Sequence, residues 1–462
     1  LVYKKIEFIL SVRVQVPGKG RDKNTMRICL INSRQDPGGT NIRSRMEELL
    51  ETPHEQPYPL ELHEYSFLET EERLIFQDHI DEGLESDLII FLSRHASMNP
   101  VPQLTVHVTG NLSTADFGGI PGSLAVAAPA WMHAILGNLS RHAPPGYRVS
   151  YEATHHGPTE ISTPSLFVEV GSTAKEWSDR VAGTAVAMSV LEASPGGCIP
   201  LIGLGGTHYA RRETEISLTS RGAFGHIAPS REISSIDPGM IMQMAEKSGA
   251  VAAFIDKKAL RSDEIRSIED ALLPCGLVRL NESDILNFGD ITWEQYRAVL
   301  DLAFEVDPDC RPNLHRPKRG TPVILRFSPG LLEEAQKADQ KALFEGISAI
   351  PLVHLQSPSG SILPQFIITE ENPREILNAL ISLCVTLIRK EQEISIAGDH
   401  LTIRKIRFDP RKARELGVPK GPLYRELVKG RTIRVNDQVI TPEMVRASTE
   451  RTIHIPGLEN YT

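Results

Sequence analysis

Cysteine is scarce and scattered. The five cysteines (Cys29, Cys198, Cys275, Cys310 and Cys384) contain no Cys-x-x-Cys pair, which argues against a disulfide framework and against a cysteine-held zinc knuckle. Cys29 and Cys198 lie in apolar runs and read as core thiols, and a reducing cytoplasm is the expected setting. Long apolar runs are also missing. The longest, Ile376–Ile388, is interrupted by Asn378, Ser382 and Thr386 and is too short to cross a bilayer. Glu7 and Arg13 break any secretory signal core near the start. No membrane partner is expected, and nothing points to an obligate protein partner. Several reaction signatures are absent: no His-Glu-x-x-His, no Gly-x-Ser-x-Gly elbow, no phosphate loop ending in Gly-Lys-Ser/Thr, no kinase loop. A serine hydrolase or a zincin is therefore unsupported. A global basic field is missing too, since the net charge is −9. Yet residues 400–434 hold eleven lysines and arginines against three acids. A basic patch on an acidic protein has the character of a polyanion footprint.

What the chain does have is alternation. Apolar, strand-like runs at Arg27–Ile31, Leu60–Tyr65, Asp87–Leu92, Leu104–Val108, Val149–Ala153, Leu166–Val170, Ile199–Leu204 and Val251–Ile255 are separated by helical patterns. Continuous apolar runs are what strands buried on both faces require. The expected fold is α/β, a mainly parallel or mixed sheet with helices on both faces. One helix is expected over Lys175–Ala193, opened by a Thr173/Glu176 capping box, with an apolar stripe through Trp177, Val181, Ala185 and Met188. Another begins at Asp237-Pro238, and a third runs from Ser262 to Gly276. After residue 284 the texture changes. Residues 285–400 read as an irregular α+β region with proline-rich turns, Arg311-Pro312 among them, and helical stretches near 329–345 and 373–390. Residues 401–462 read as a small basic module. Residues 1–25 precede Met26 and read as an extension or a misassigned start. Residues 26–284 are expected to form one catalytic domain.

Histidines recur where these strand-like runs give way to small-residue turns: His95, His107, His155, His156 and His208. In alternating α/β chains, ligands bind at the carboxyl ends of strands, and histidines there suit metal or acid–base chemistry. Alternation from Leu104 to Thr109 sets Thr105, His107 and Thr109 on one polar face, expected to line a wet cleft. Glu152 and Thr154 share a face just before the His155–His156 pair and a Gly-Pro turn. Gly203–Tyr209 follows a strand, and its glycines allow close approach to a ligand; His208 stands where a dinucleotide fingerprint needs its third glycine. His226 is a further candidate. Ser93-Arg94-His95 ends one strand, with Arg94 suited to phosphate or carboxylate. Asn32 ends the first strand, and Gly38–Asn41 after it suits a phosphate or sugar. Glu169 is a lone strand carboxylate, either buried and paired or a base.

Taken together, SRHAS, LTVHVTGN, EATHHGPT, FVEVGST-x-x-EW, GGTHYA and FGHI, in that order over residues 93–227, resemble the archaeal- and plant-type D-aminoacyl-tRNA deacylase. The resemblance covers about residues 26–280. It implies a zinc-dependent hydrolase that cleaves the ester between a D-amino acid and tRNA, on a fold similar to the phosphorylase and peptidyl-tRNA hydrolase folds. It implies metal ligands drawn from His107, His155, His156 and His208, with His226 as a further member. His155, His156, Glu152 and Glu169 are then the catalytic candidates, the glutamates as ligand or general base. Asn111 and Thr207 would stabilise the oxyanion or hold the amino acid; Arg94, His95 and Asn32 would contact substrate. The region beyond 285 makes this an extended form. Its segment from Ala413 to Tyr424 looks like a stretch also found in ribonuclease Z and suits tRNA docking. The competing readings are a peptidyl-tRNA hydrolase-like or nucleoside phosphorylase-like enzyme, and a non-catalytic tRNA-binding protein.

Overall fold

The computed structural model describes residues 9–10, 26–51, 63–98, 100–369 and 373–458. Most of the expected extension and the first part of the expected strand Leu60–Tyr65 lie outside the described residues. The chain divides into two compact units, Leu1–Leu286 and Asn287–Thr462.

The N-terminal unit is built on two sheets. Strands β1 (Ile9–Leu10), β2 (Met26–Ser33), β3 (His63–Thr70), β4 (Leu88–Ala96), β5 (Gln103–His107), β6 (Arg148–Tyr151) and β7 (Ser165–Ser172) form a seven-stranded sheet in the order β1-β3-β2-β4-β7-β5-β6. Strands β8 (Ile199–Leu204), β9 (Gly222–Ala228), β10 (Ala252–Ile255) and β11 (Val278–Leu280) form a second, parallel sheet in the order β11-β10-β8-β9. The apolar runs explain the layering. Leu88–Leu92 and Leu166–Val168 are essentially inaccessible, as both-face burial demands. Helix α1 (Pro37–Glu51) packs tightly on β4: a Cβ at Gly39 would lie 2.2 Å from the Leu92 carbonyl oxygen. Gly39 is thus a helix–strand contact rather than the phosphate or sugar contact expected of Gly38–Asn41. Helix α2 (Pro129–His142) covers β5 and β6.

Two expectations change here. The helix over Lys175–Ala193 is two helices, α3 (Ala174–Trp177) and α4 (Arg180–Leu191). The Thr173/Glu176 capping box opens the first, and Asp179 caps the second through Val181 N at 2.9 Å. That restart turns the apolar face: Ala182, Ala185 and Val186 are buried, while Val181 is 65% exposed. The polar face of β5 is also not wet, since Thr105 and His107 are inaccessible. Helices α5 (Arg211–Thr219), α6 (Pro238–Ser248, capped by Asp237), α7 (Ser262–Leu272) and α8 (Glu282–Leu286) complete the unit.

The C-terminal unit opens with α9 (Trp293–Val306). Strands β12 (Arg311–Leu314), β13 (Pro322–Arg326), β14 (Val353–Gln356) and β15 (Ile362–Thr369) form an antiparallel sheet in the order β12-β14-β15-β13. Pro312 sits in a paired strand, not a turn. It is tolerated because β12 is an edge. Helices α10 (Pro329–Ser348) and α11 (Pro373–Glu391) bury Leu331, Leu343, Leu380 and Cys384 in a core with Phe366. Strand β16 (Glu393–Ala397) pairs with β17 (His400–Phe408), and β17 pairs on its other side with the last long strand (Arg446–His454), Phe408 opposite Arg446. Residues 409–445 are inserted between those two paired strands. They form α12 (Pro410–Glu415), α13 (Pro422–Val428) and a short hairpin around a small core of Ala413, Val418, Leu427, Ile433, Ile440 and Val445.

Among the described residues, no helix is long and apolar enough to cross a membrane.

Candidate active site

The histidines meet, but not along one sheet edge. Strand β7 runs parallel to β4, whereas β5 and β6 run opposite to β7. His95 therefore arrives from the end of β4, and Glu152 to His156 arrive from the opposite direction beyond β6. His208 comes from the second sheet, in the turn after β8. That turn needs its glycines, because Gly205 and Gly206 have φ of 110° and 82°. The turn is tied to the first sheet by a backbone hydrogen bond from Ala153 N to the His208 carbonyl, 2.7 Å.

Glu152 is the centre. It is 2% exposed. One oxygen lies 2.8 Å from His95 Nδ1; the other lies 2.9 Å from His208 Nε2 and 3.4 Å from His155 Nε2. Glu169, on β7, lies 3.4 Å from His95 Nδ1. Behind this layer, His107 Nε2 is 3.3 Å from His156 Nε2, and the His107 and His155 rings stack at 4.6 Å. The backbone orients the pair: His155 Nδ1 is 2.8 Å from the Ala153 carbonyl oxygen and His156 Nδ1 is 2.6 Å from that of Gly157. Tyr209 places its hydroxyl 3.0 Å from His95 Nε2.

Burial and charge separate the protonation states. Burial disfavours an ionised Glu152, but the surrounding histidines outweigh it and hold the carboxyl well below its usual range. Burial would lower His95 as well; Glu152 and Glu169 reverse that and raise it to about 11. Burial raises Glu169 to about 7. Burial lowers His107 to about 3 and His156 to about 4, and lowers His155 in the same direction. Three neutral imidazoles thus stand against one ionised carboxylate.

Such a donor set fits a metal ion. Three overlapping groups have ligand atoms within 4.8 Å of one another: His107, His155 and His156; Glu152, His155 and His208; His95, Glu152 and Glu169. Both Glu152 oxygens and the Nδ1 atoms of His107 and His208 are buried without a well-directed hydrogen bond. Buried polar atoms are rarely left so. Imidazole and carboxylate donors are the ones zinc takes in catalytic sites.

The cluster opens on a cleft of about 640 Å³ lined by His95, Glu152, His155, His156, Glu169 and His208, with Asp36, Arg73, Arg94, Asn111 and Tyr209 around them. Other expected site residues stand elsewhere or do other work. His226 is outside the cluster: its Nε2 is 2.9 Å from the Ala125 carbonyl oxygen and its Nδ1 is 3.1 Å from the Thr154 hydroxyl. Both nitrogens are engaged in the core, so it has none to offer an ion. Asn32 bonds Glu69 and Arg43, and neither it nor Thr207 lines the cleft. Asn111 lines it, but its amide donates to the carbonyls of Gly118 and Ile120 and so secures a loop. Arg94 lies over the Trp177 ring at 4.9 Å. Asp36, Arg73 and Tyr209 do not stand out in the sequence. Tyr209 directly follows His208 in the GGTHYA motif and was within reach; Arg73 carries no local pattern.

This arrangement defines a class: an α/β protein with a buried, metal-capable histidine–glutamate centre in a polar cleft. The chain belongs to the D-aminoacyl-tRNA deacylase family. The family's profile, described as D-aminoacyl-tRNA deacylase, matches residues 82–278. A relative from Methanoculleus marisnigri named D-aminoacyl-tRNA deacylase is 50% identical over 94% of this chain and 100% of its own length. A shorter relative of that name, from Methanosarcina mazei, is 38% identical over 58% of this chain and 96% of its own. A crystal structure described as a conserved protein of unknown function is 33% identical, with a TM-score of 0.52, over 57% of this chain and 98% of that one.

Proposed function

We propose that the chain hydrolyses the ester joining a D-amino acid to the 3′-terminal ribose of tRNA, releasing the free D-amino acid and tRNA in the cytoplasm. The observation that carries this reading is Glu152, an inaccessible carboxylate ringed by His95, His155 and His208 at the base of the cleft. Family membership supplies the substrate class, since the relatives are named for it.

Zinc would be held by His155 with either His107 and His156 or His208 and Glu152. When bound, zinc polarises a carbonyl and makes a water acidic enough to ionise near neutral pH. Glu152 stays ionised and keeps the histidine rings turned inward. Glu169, raised to about 7 by burial, is poised to take a proton from the attacking water. As the water oxygen bonds to the acyl carbon, the acyl–ribose bond breaks and the leaving ribose oxygen takes a proton back. His95 is kept protonated by the two glutamates and donates from Nε2 to the Tyr209 oxygen. That leaves the Tyr209 proton, now directed at Ser97 Oγ over a long 3.4 Å, able to turn to the developing oxyanion. Arg94 and Arg73 bring positive charge to the cleft for the RNA 3′ end.

The test is deacylation of paired D- and L-aminoacyl-tRNAs by the full chain, with and without a chelator. Hydrolysis of the D form, sparing of the L form, loss on metal removal and recovery with zinc are expected. Equal rates on both forms would sink the substrate assignment, and activity unchanged after verified metal removal would sink the zinc assignment.

A further inference from the structure

Four cations of the inserted segment 409–445 in the C-terminal unit differ from the cations around them. Their neighbours are engaged: Lys429 and Arg431 pair with Glu426, Arg434 lies 4.0 Å from Asp437, Arg451 pairs with Glu333 and Glu334, and Lys412, which has no acidic partner either, donates to the Arg446 carbonyl oxygen. Arg411 and Arg414, one turn apart on α12, have no acidic side-chain partner among the described residues. The same holds for Lys420, between the helices, and Arg425, on α13. All four are exposed. Their backbone is fixed, because Ala413 on α12, Leu427 on α13 and Val418 between them pack in the small core. Unmatched cations on a rigid module of a chain with net charge −9 are an electrostatic footprint for a polyanion.

We infer that this module is a docking surface for the phosphate backbone of tRNA, which adds affinity and leaves the chemistry to the cleft. The inference rests on the deacylase reading for its choice of polyanion. The shorter relative spans little more than half of this chain, so a protein of the family's name manages without a counterpart of the whole C-terminal unit. What the unit adds is then binding. Phosphate contacts fix position and affinity without reading sequence, so the module would serve every tRNA alike.

The experiment combines Arg411→Glu, Arg414→Glu, Lys420→Glu and Arg425→Glu in the full chain, with the corresponding glutamine variant as a milder second form. Binding of uncharged tRNA is measured by fluorescence anisotropy from 50 to 200 mM salt, at roughly the range where such contacts are most visible. Kinetics are measured on D-aminoacyl-tRNA and on a D-aminoacyl ester of adenosine. Expected are tRNA binding weaker by about 10-fold or more and a flatter salt dependence, by roughly 0.9 in log–log slope for each phosphate no longer neutralised. KM for the tRNA substrate rises while kcat and hydrolysis of the small ester stay unchanged. Binding within twofold of the unaltered chain, with the same salt slope, overturns the inference, as does a loss of small-ester hydrolysis equal to that of the tRNA substrate. The binding arm needs no catalysis, so it decides even if deacylation is absent, and the two readings fail separately.

Discussion

Glu152 in the N-terminal unit and Glu334 in the C-terminal unit are 2% and 1% exposed, and their surroundings differ in kind. Glu334, on α10, meets fixed cations: Lys405 pairs with one oxygen, Arg451 lies 2.7 Å from the other, and Lys337 adds a turn-to-turn contact. Lys405 and Arg451 reach the helix from β17 and the last long strand, so the carboxylate bolts a helix to a sheet. Glu152 meets histidines, whose charge depends on what is bound nearby, and its oxygens lack well-directed hydrogen bonds. A carboxylate satisfied by arginine and lysine is complete in the folded chain. One surrounded by imidazoles is set up for something the chain does not itself contain. At nearly equal solvent exposure, the pair contrasts an acid held by fixed cations with one held by histidines.

The sharpest way to break this comparison is at the cluster. Glu152→Gln, His155→Ala and His208→Ala should each lower D-aminoacyl-tRNA deacylation on the order of 10³-fold or more, the scale of losing positioned acid–base and metal assistance. Far-UV circular dichroism should be unchanged and bound metal reduced. A Glu334→Gln chain should keep full activity. Full activity in the Glu152→Gln variant would leave the distinction without content.

Glu334→Ala tests the other side. Breaking a fully buried pair costs about 3–5 kcal/mol, but Arg451 is half exposed and can turn to water. A loss of about 2 kcal/mol is expected, read as a lower urea midpoint for the C-terminal unit, with deacylation unaffected at low urea. An unchanged midpoint would mean that Glu334 is not a structural bolt.

The same contrast explains what could be read from residues alone. The apolar runs at 88–92, 166–170 and 199–204 mark buried strands because both-face burial leaves no room for polar residues. Ordered motifs place His95, His107, His155, His156 and His208 in one reading, with Glu152 and Glu169 beside them. Strand direction was not legible: nothing local to Gln103–His107 says that it runs against β7. That direction sets His107 level with Phe167, behind the layer where His95 meets Glu152. His226 looks like a ligand in the sequence, which cannot show that Ala125 and Thr154 occupy both its nitrogens. Val181 falls on the expected apolar stripe because the helix restart at Asp179 is a backbone event. The Arg311-Pro312 pair reads as a turn, yet Pro312 is strand, since only the sheet order reveals an edge.

His226 sharpens the comparison within the N-terminal unit, as a buried histidine that should act like Glu334 rather than like its neighbours. His226→Ala should leave bound metal unchanged and cost about 1–2 kcal/mol through unpaired groups at Ala125 and Thr154. Burial lowers its pKa from 6.5 to about 4. The unfolded chain therefore takes up a proton below 6.5 that the folded chain refuses. The stability present above pH 6.5 is lost as the pH falls toward 4. Comparing urea midpoints at pH 7 and 5, the variant should lose less than the unaltered chain. Equal losses, or a drop in bound metal, would return His226 to the candidate ligands.

Glu213, inaccessible to solvent as well, fits neither pattern. It sits in the first turn of α5, beneath Gly206, and neither oxygen has a well-directed hydrogen bond. Burial raises its pKa from 4.5 to about 8; its own backbone N–H opposes this, the nearby charge of Asp256 adds to it and Arg212 opposes it. The folded chain keeps this proton to about pH 8, whereas the unfolded chain releases it near 4.5. Its contribution is therefore fully present below pH 4.5 and is lost as the pH rises through 8. Glu213→Gln keeps the shape without the ionisation. The variant should match the unaltered chain near pH 5 and exceed it in Tm by roughly a few degrees at pH 9, with deacylation at pH 7 essentially retained. Parallel Tm curves from pH 5 to 9 would show that Glu213 ionises as readily folded as unfolded. It would then have a partner that its burial conceals, and would join Glu334 as a satisfied acid.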